Sequence, residues 1–306
     1  MIKIYQKRIN DSTIKEIEEF RPGCWIYAQN INEEEVAFLE RKFNLNPNTL
    51  KDAMDPYEVP RVEIEENIVY IFTRVPQKSE EKIITTPLLI TVGPDFVMTL
   101  LKTESPILNK FIENRLSFTT TQKTQLVIRF LSEIMKAYNG FLSNISKDVR
   151  EISAKFSKIN EKIIMNFVNF EEILNDFLLA LTHTNPALKN IISGKFIQLY
   201  KEDQELMEDL VLDTNQLVEL CNSTLKNIVN IREAYSTIIS NNLNKVIKLF
   251  TSLTVILTIP TIIASLYGMN VGLPFANNPN VFWIIMAGTV VIVSVVFYVF
   301  SRNRWL

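Results

Sequence analysis

The alternation of apolar and polar positions divides the chain into three regimes. Up to about residue 104, short β-rich runs are bounded by turn residues: "CWIYAQ" (24–29), "VEIEENIVYIFTRV" (62–75), "PLLITVG" (87–93) and "DFVMTLL" (95–101). These predict strands. "NEEEVAFLERKF" (32–43) predicts a helix with an acidic first turn. The mixture points to an α/β domain with a central sheet. From about Pro106 the strand signals vanish and helical patterning takes over, through "TQLVIRFLSEIMKAYNGFLSNISKDVREISAKF" and "NEKIIMNFVNFEEILNDFLLALTH". Pro186 predicts a break. Beyond it, residues 187–259 hold no proline and a single glycine, Gly194. One continuous helix there would run roughly 110 Å at 1.5 Å per residue, too long for a compact domain. Leu217, Leu220, Thr224, Ile228, Ile231, Tyr235, Ile238 and Asn242 recur at three- and four-residue steps along it, as in a bundled seam.

In the third regime, Leu249 to Ser301, no side chain is charged. "LFTSLTVILTIPTIIASLYG" (249–268) and "VFWIIMAGTVVIVSVVFYVF" (281–300) are each long enough to cross a hydrocarbon core of ~30 Å. The connection 269–280 is uncharged and too short to be a domain. Lys245 and Lys248 precede the first span, and Arg302 and Arg304 follow the second. The positive-inside rule then places both termini in the cytoplasm, in a multi-pass protein of the cell membrane.

Bulk composition conceals this partition, with 22% charged residues and a net charge of −2. So small a net charge, with no basic block, speaks against a nucleic-acid partner. Cys24 and Cys221 are isolated, which argues against a disulfide framework or a thiolate metal site. The opening "MIKIYQKRIN" lacks the apolar stretch of a signal peptide. No Gly-rich phosphate loop or nucleophile motif is present, so neither an enzyme nor an organic cofactor is expected.

Across the first span the three–four stepping continues with different chemistry. Asn244, Ile247, Thr251, Thr254, Thr258, Thr261 and Ser265 fall on one helix face. Hydroxyls in a membrane helix commonly bond back to their own carbonyls or pack between helices. Five on one face, after an amide, favour a water-lined path. Two spans cannot enclose a pore, so several copies must surround one. Neutral oxygens suit Mg²⁺, which dehydrates reluctantly and keeps several waters. The span's C-terminal dipole end, at Tyr267–Asn270, would favour cations.

Tyr267-Gly268-Met269-Asn270, directly after the first of two C-terminal spans, resembles the signature of the CorA family of divalent-cation channels. "PTIIASLYGMNVGLPF", the ending "RNRWL", "NKVIKLFT" and "NPNTLKDAMDPYEVPRVEIEENIVYIF" resemble the family as well. The resemblance implies a funnel-shaped homopentamer, with an α+β cytoplasmic domain, a long stalk helix and two C-terminal transmembrane helices. It implies uptake of hydrated Mg²⁺, with Co²⁺ or Ni²⁺ as passengers, and a Gly-Met-Asn ring meeting the ion chiefly through Asn270. An ungapped alignment puts the inner polar ring on Asn244 and the apolar gate on Ile247 and Phe250. Thr258 stands where relatives often carry another apolar constriction, and the outer loop lacks their acidic residue. Mg²⁺ bound between subunits would also hold the closed state. Its ligands would be Asp209 and Glu233, with Glu205 and Asp213 on the face of Asp209 and a partner in "KSEEK", Glu80 or Glu81.

The expected organisation is therefore a cytoplasmic α/β domain (1–104), a helical region with the stalk (105–248), a pore-lining span (249–268), an external loop (269–280), a second span (281–300) and a basic tail (301–306). A zinc exporter of the same superfamily is the nearest alternative, disfavoured because His183 is the sole histidine. A non-conducting, membrane-anchored coiled-coil scaffold is the other.

Overall fold

The computed structural model describes residues 1–306 apart from 80–81, 155–160, 198, 275–277, 304 and 306. It divides into two compact units, Met1–Asn230 and Ile231–Leu306.

The first unit is built on seven strands: β1 (Ile2–Gln6), β2 (Lys15–Ile17), β3 (Cys24–Gln29), β4 (Arg61–Glu65), β5 (Ile68–Ser79), β6 (Lys82–Val92) and β7 (Phe96–Leu101). They form one sheet in the order β2-β1-β3-β7-β6-β5-β4. Every neighbouring pair is antiparallel except β3 and β7, where Trp25 pairs with Val97 and Tyr27 with Thr99. Strand alternation assigns the two faces. Cys24, Ile26 and Ala28, with Phe96, Met98 and Leu100, join a core that includes Val36, Leu39 and Phe43 of α1 (Glu33–Phe43) and Leu50 of α2 (Pro47–Asp52). On the opposite face Trp25 donates to the Thr99 hydroxyl at 2.9 Å and packs on Phe111 of α3 (Pro106–Ile112) and Phe130 of α4 (Lys123–Ala154). The Tyr138 hydroxyl of α4 donates to the Arg74 carbonyl at 3.0 Å.

Three long helices complete the set: α5 (Glu161–Ile192), α6 (Lys201–Tyr267) and α7 (Val281–Arg302). The first 31 residues of α6 bury one stripe: Asp203, Met207, Leu210, Thr214, Leu217, Cys221, Thr224, Ile228 and Ile231. Steps of four and three keep these on a single face. Thr214 meets the Met135 sulfur of α4 at 3.5 Å, and Asn215 accepts from the Asn185 amide of α5. Burial pushes the Cys221 thiol up to about 12, so it is an inert core group.

The structure corrects three expectations. The run 62–75 is a hairpin, not one strand. Glu66 and Asn67, at φ 49° and 66°, turn the chain between the paired Glu65 and Ile68, as a two-residue loop with both φ positive does. Pro186 does not break its helix. It lies inside α5, where the neighbouring Leu181, Thr184, Ala187, Leu188 and Ile191 are buried. That packing offsets the ~3 kcal/mol that an interior proline costs. The break falls instead at Gly194, whose φ of +73° ends α5, so the long helix starts at Lys201 and not at 187. It is still 67 residues long, about 100 Å at 1.5 Å rise.

Candidate ion path in the apolar helices

The second unit consists of the C-terminal part of α6, the connection after it and α7. Both helices are long and apolar enough to cross a membrane, and neither apolar stretch is buried by the rest of the chain. α7 has no buried residue at all. A 22-residue helix with such a surface is a buried element lacking its surroundings, and lipid supplies them. Aromatic side chains mark both its ends. Phe282 and Trp283 pack edge to face at 5.4 Å, while Phe300 stacks on Trp305 at 5.5 Å. Such rings settle at the membrane–water interface. The pattern was present in the sequence but went unread there.

Within this unit α6 has two distinct faces. Ser252 is fully buried and donates to the Leu249 carbonyl at 2.9 Å; Ile256, Ile259, Pro260 and Ile263 are half-buried. Pro260, Ile263 and Ala264 line a cavity of about 610 Å³ together with Phe282, Ile285 and Met286 of α7. This side therefore faces the second helix. Thr251, Thr254, Thr258, Thr261 and Ser265 are all exposed. At 100° per residue they centre roughly 140° round the helix from Ser252. Asn244, Ile247 and Phe250 lead into the same stripe, and the two apolar residues are 51% and 63% exposed. Among the described residues nothing covers this face.

Three of the five hydroxyls are engaged by their own helix. Thr254 donates to the Phe250 carbonyl at 2.8 Å, Thr258 to the Thr254 carbonyl at 2.7 Å, and Thr261 to the Leu257 carbonyl at 2.9 Å. Each proton is committed to the helix, and each oxygen keeps lone pairs directed outward. At these three positions the stripe consequently presents acceptors. The bland outcome for such threonines, bonding to their own helix, is thus realised, and it sharpens their polarity.

Tyr267 is the last helical residue of α6. The Gly268 amide donates to the Ala264 and Ser265 carbonyls at 2.9 and 3.2 Å, closing the final turn. A Cβ at Gly268 would stand 3.3 Å from the Ala264 carbonyl oxygen, closer than most such contacts. Met269 and Asn270 follow, exposed, beyond the helix end.

The acidic residues on α6 are arranged differently. Glu205, Asp209, Asp213 and Glu233 are exposed. Glu205, Asp209 and Asp213 lie on the side of the helix away from the buried stripe. Among the described residues no three His, Cys, Asp or Glu side chains converge to hold a metal. Glu80 and Glu81 lie outside the described residues.

The family model for CorA-like Mg²⁺ transporter proteins matches residues 22–302. The chain belongs to the CorA family. That family is one of transporters rather than enzymes. A cobalt/magnesium transport protein CorA from Methanocaldococcus jannaschii is 27% identical over 294 residues, covering 92% of this chain and 91% of its own. The complete structure of the CorA magnesium transporter from the same organism matches with a TM-score of 0.88 at 25% identity, over 100% of this chain and 99% of that one. The cytoplasmic domain of ZntB from Vibrio parahaemolyticus, at 10% identity and a TM-score of 0.64, covers 78% of this chain and 98% of its own. That likeness concerns the fold alone.

Proposed function

We propose that this CorA-family chain conducts hydrated Mg²⁺, and with it Co²⁺ or Ni²⁺, inward across the cell membrane as a homopentamer with both termini cytoplasmic. The observation that carries the reading is the exposed stripe on α6: five hydroxyls on the side away from α7, three of them with protons committed to the helix, ending at Gly268-Met269-Asn270. Waters around a cation turn their hydrogens outward. Acceptors at Thr254, Thr258 and Thr261 complement that shell and oppose the shell of an anion. Mg²⁺ therefore need not shed its waters, which it does reluctantly.

Five copies of α6 would place Asn270 in an outer ring and Asn244 in an inner one, with Ile247 and Phe250 as the apolar gate between Asn244 and the hydroxyls. Thr258 leaves the middle of the span wettable, so closure rests on the cytoplasmic end. A membrane potential contributes ~2.3 kcal/mol per charge per 100 mV, about twice that for a divalent ion, and drives entry without a nucleotide. Feedback would come from Mg²⁺ held between subunits by Asp209 and Glu233, assisted by Glu205, Asp213 and a partner at Glu80 or Glu81. Each carboxylate is exposed or outside the described residues, so ligands from a second copy would complete the site.

The test is entry into liposomes carrying a Mg²⁺-sensitive dye under an inside-negative potential, with the oligomer sized in parallel. Wild type should admit Mg²⁺ and Asn270→Ala should lose more than nine-tenths of that entry. A sized pentamer that admits no Mg²⁺ at any internal concentration would end the channel reading in favour of an exporter or a scaffold.

A further inference from the structure

In the first unit a cleft of about 540 Å³ opens between the chain following β1, the segment joining α3 to α4, and the first turns of α4. Its lining includes Lys7, Asn114, Arg115, Phe118 and Arg129, with Asp11 as an acidic member. Lys7 is the unusual residue, because it is only 6% exposed. Its ammonium donates to the Asn114 side-chain oxygen at 2.5 Å and lies 4.9 Å over the Phe118 ring. Asn114, at φ 58°, is anchored in turn by donating its amide to the Ser12 carbonyl at 2.9 Å.

Among the described residues, neither Lys7 nor Arg129 has a carboxylate partner. Asp11 is already engaged by the Arg8 amide at 2.8 Å and by Lys15 at 3.2 Å, and Arg115 is paired with Glu113 at 2.7 Å. A buried ammonium without a counter-charge is costly. Here it borders open space, across which an uncommitted guanidinium, suited to forked contact with phosphate, is also presented. The first turn of α4 adds amide dipoles of the same sign. The volume exceeds what a bare oxyanion needs and falls within the range of small-molecule pockets.

We infer that this cleft binds a phosphate-bearing small molecule of nucleotide size, with Lys7 and Arg129 as its cationic contacts. The site is independent of the ion path. It is tested on the full-length protein in detergent and divalent-free buffer, by equilibrium dialysis and thermal midpoint against ADP and inorganic phosphate. ADP should raise the midpoint. Arg129→Gln, at an exposed position, should weaken ADP binding at least tenfold while leaving the ligand-free midpoint unchanged. Lys7→Met should abolish the ADP-induced rise. Tighter binding of ADP than of phosphate supports a ligand of nucleotide size; equal binding overturns that size and leaves a site for the free anion. Failure of both probes to bind wild type in the millimolar range, as when a neighbouring copy fills the cleft, overturns the inference. So does binding that survives both substitutions. Asn270→Ala should bind ADP as wild type does, so a failure here and a failure of the channel reading remain distinguishable.

Discussion

One helix, α6, lives by two different rules. From Asp203 to Ile231 it buries every third or fourth side chain against its own chain, and its remaining faces are mainly polar, with Leu206, Leu212 and Val229 exposed among them. From Thr251 to Ser265 the stripe of Thr251, Thr254, Thr258, Thr261 and Ser265 is exposed, while Ile256, Ile259, Pro260 and Ile263 are half-buried on the side toward α7. Periodicity is shared by the two stretches, and what differs is which partner each stripe lacks. In the first stretch the stripe is mostly apolar and buried within the chain. In the second it is polar, bonded back to its own helix at Thr254, Thr258 and Thr261, and uncovered by any other element among the described residues. A three–four repeat therefore reports helix and face. The chemistry of the repeat reports what the face is for.

Asn270→Ala gives the largest expected effect, because it deletes the outer oxygen at the end of the polar stripe. Ion entry should fall more than tenfold while the melting of the first unit stays unchanged. Leu210→Ala probes the other stretch. Leu210 is 4% exposed, and truncating such a residue costs about 2–4 kcal/mol. Leu212→Ala, two residues on and 58% exposed, should cost within about 0.5 kcal/mol. Chemical denaturation of the two variants side by side measures the contrast, and equal losses would contradict the assigned buried face. Third, Thr258→Val keeps shape and removes the acceptor. It should slow Mg²⁺ entry roughly tenfold, which is about 1.4 kcal/mol of barrier, whereas Thr258→Ser should retain most of it. A valine as active as wild type would show that the stripe's oxygens are dispensable.

The smallest effect concerns charge buried inside the first unit. Burial alone would push the Glu133 carboxyl up, but hydrogen bonds from Lys136 at 2.8 Å and Lys110 at 3.1 Å, with their charges, outweigh it and hold the group below its ordinary value. A lowered folded-state value contributes stability above the unfolded pKa, and that stability is lost as pH falls through the folded one. Glu133→Gln should therefore lose about 1–2 kcal/mol at neutral pH. The difference from wild type should shrink below the usual carboxylate range and vanish in stronger acid, as pH-dependent melts would reveal.

Much of this was legible in the chain because it rests on local chemistry. The uncharged run from Leu249 to Ser301, the hydroxyl spacing and the Tyr-Gly-Met-Asn turn need no distant partner to be recognised. Prolines were the main source of error. Pro47 and Pro106 begin α2 and α3, at the first helical turn where the missing N–H has no partner to lose, and both short helices escaped notice. Pro186 looked like a terminator but is held inside α5 by burial that only the tertiary structure supplies. Strand β1 was hidden because Lys3 interrupts its apolar positions; its pairing with β3 joins Ile4 to Ile26, across a sequence distance no window spans. Lys7 was illegible for the same reason, since Asn114 and Phe118 reach it from more than a hundred residues away.

The threonines that bond back to α6 carry one more consequence. A hydroxyl passes a proton along a wall only if it can rotate, accepting from one neighbour and donating to the next. Thr254, Thr258 and Thr261 have their protons fixed on the carbonyls of Phe250, Thr254 and Leu257. In the passage proposed above, these three threonines would offer acceptors to a hydrated metal ion and, with their protons engaged, no side-chain relay for hydrogen ions at their own positions.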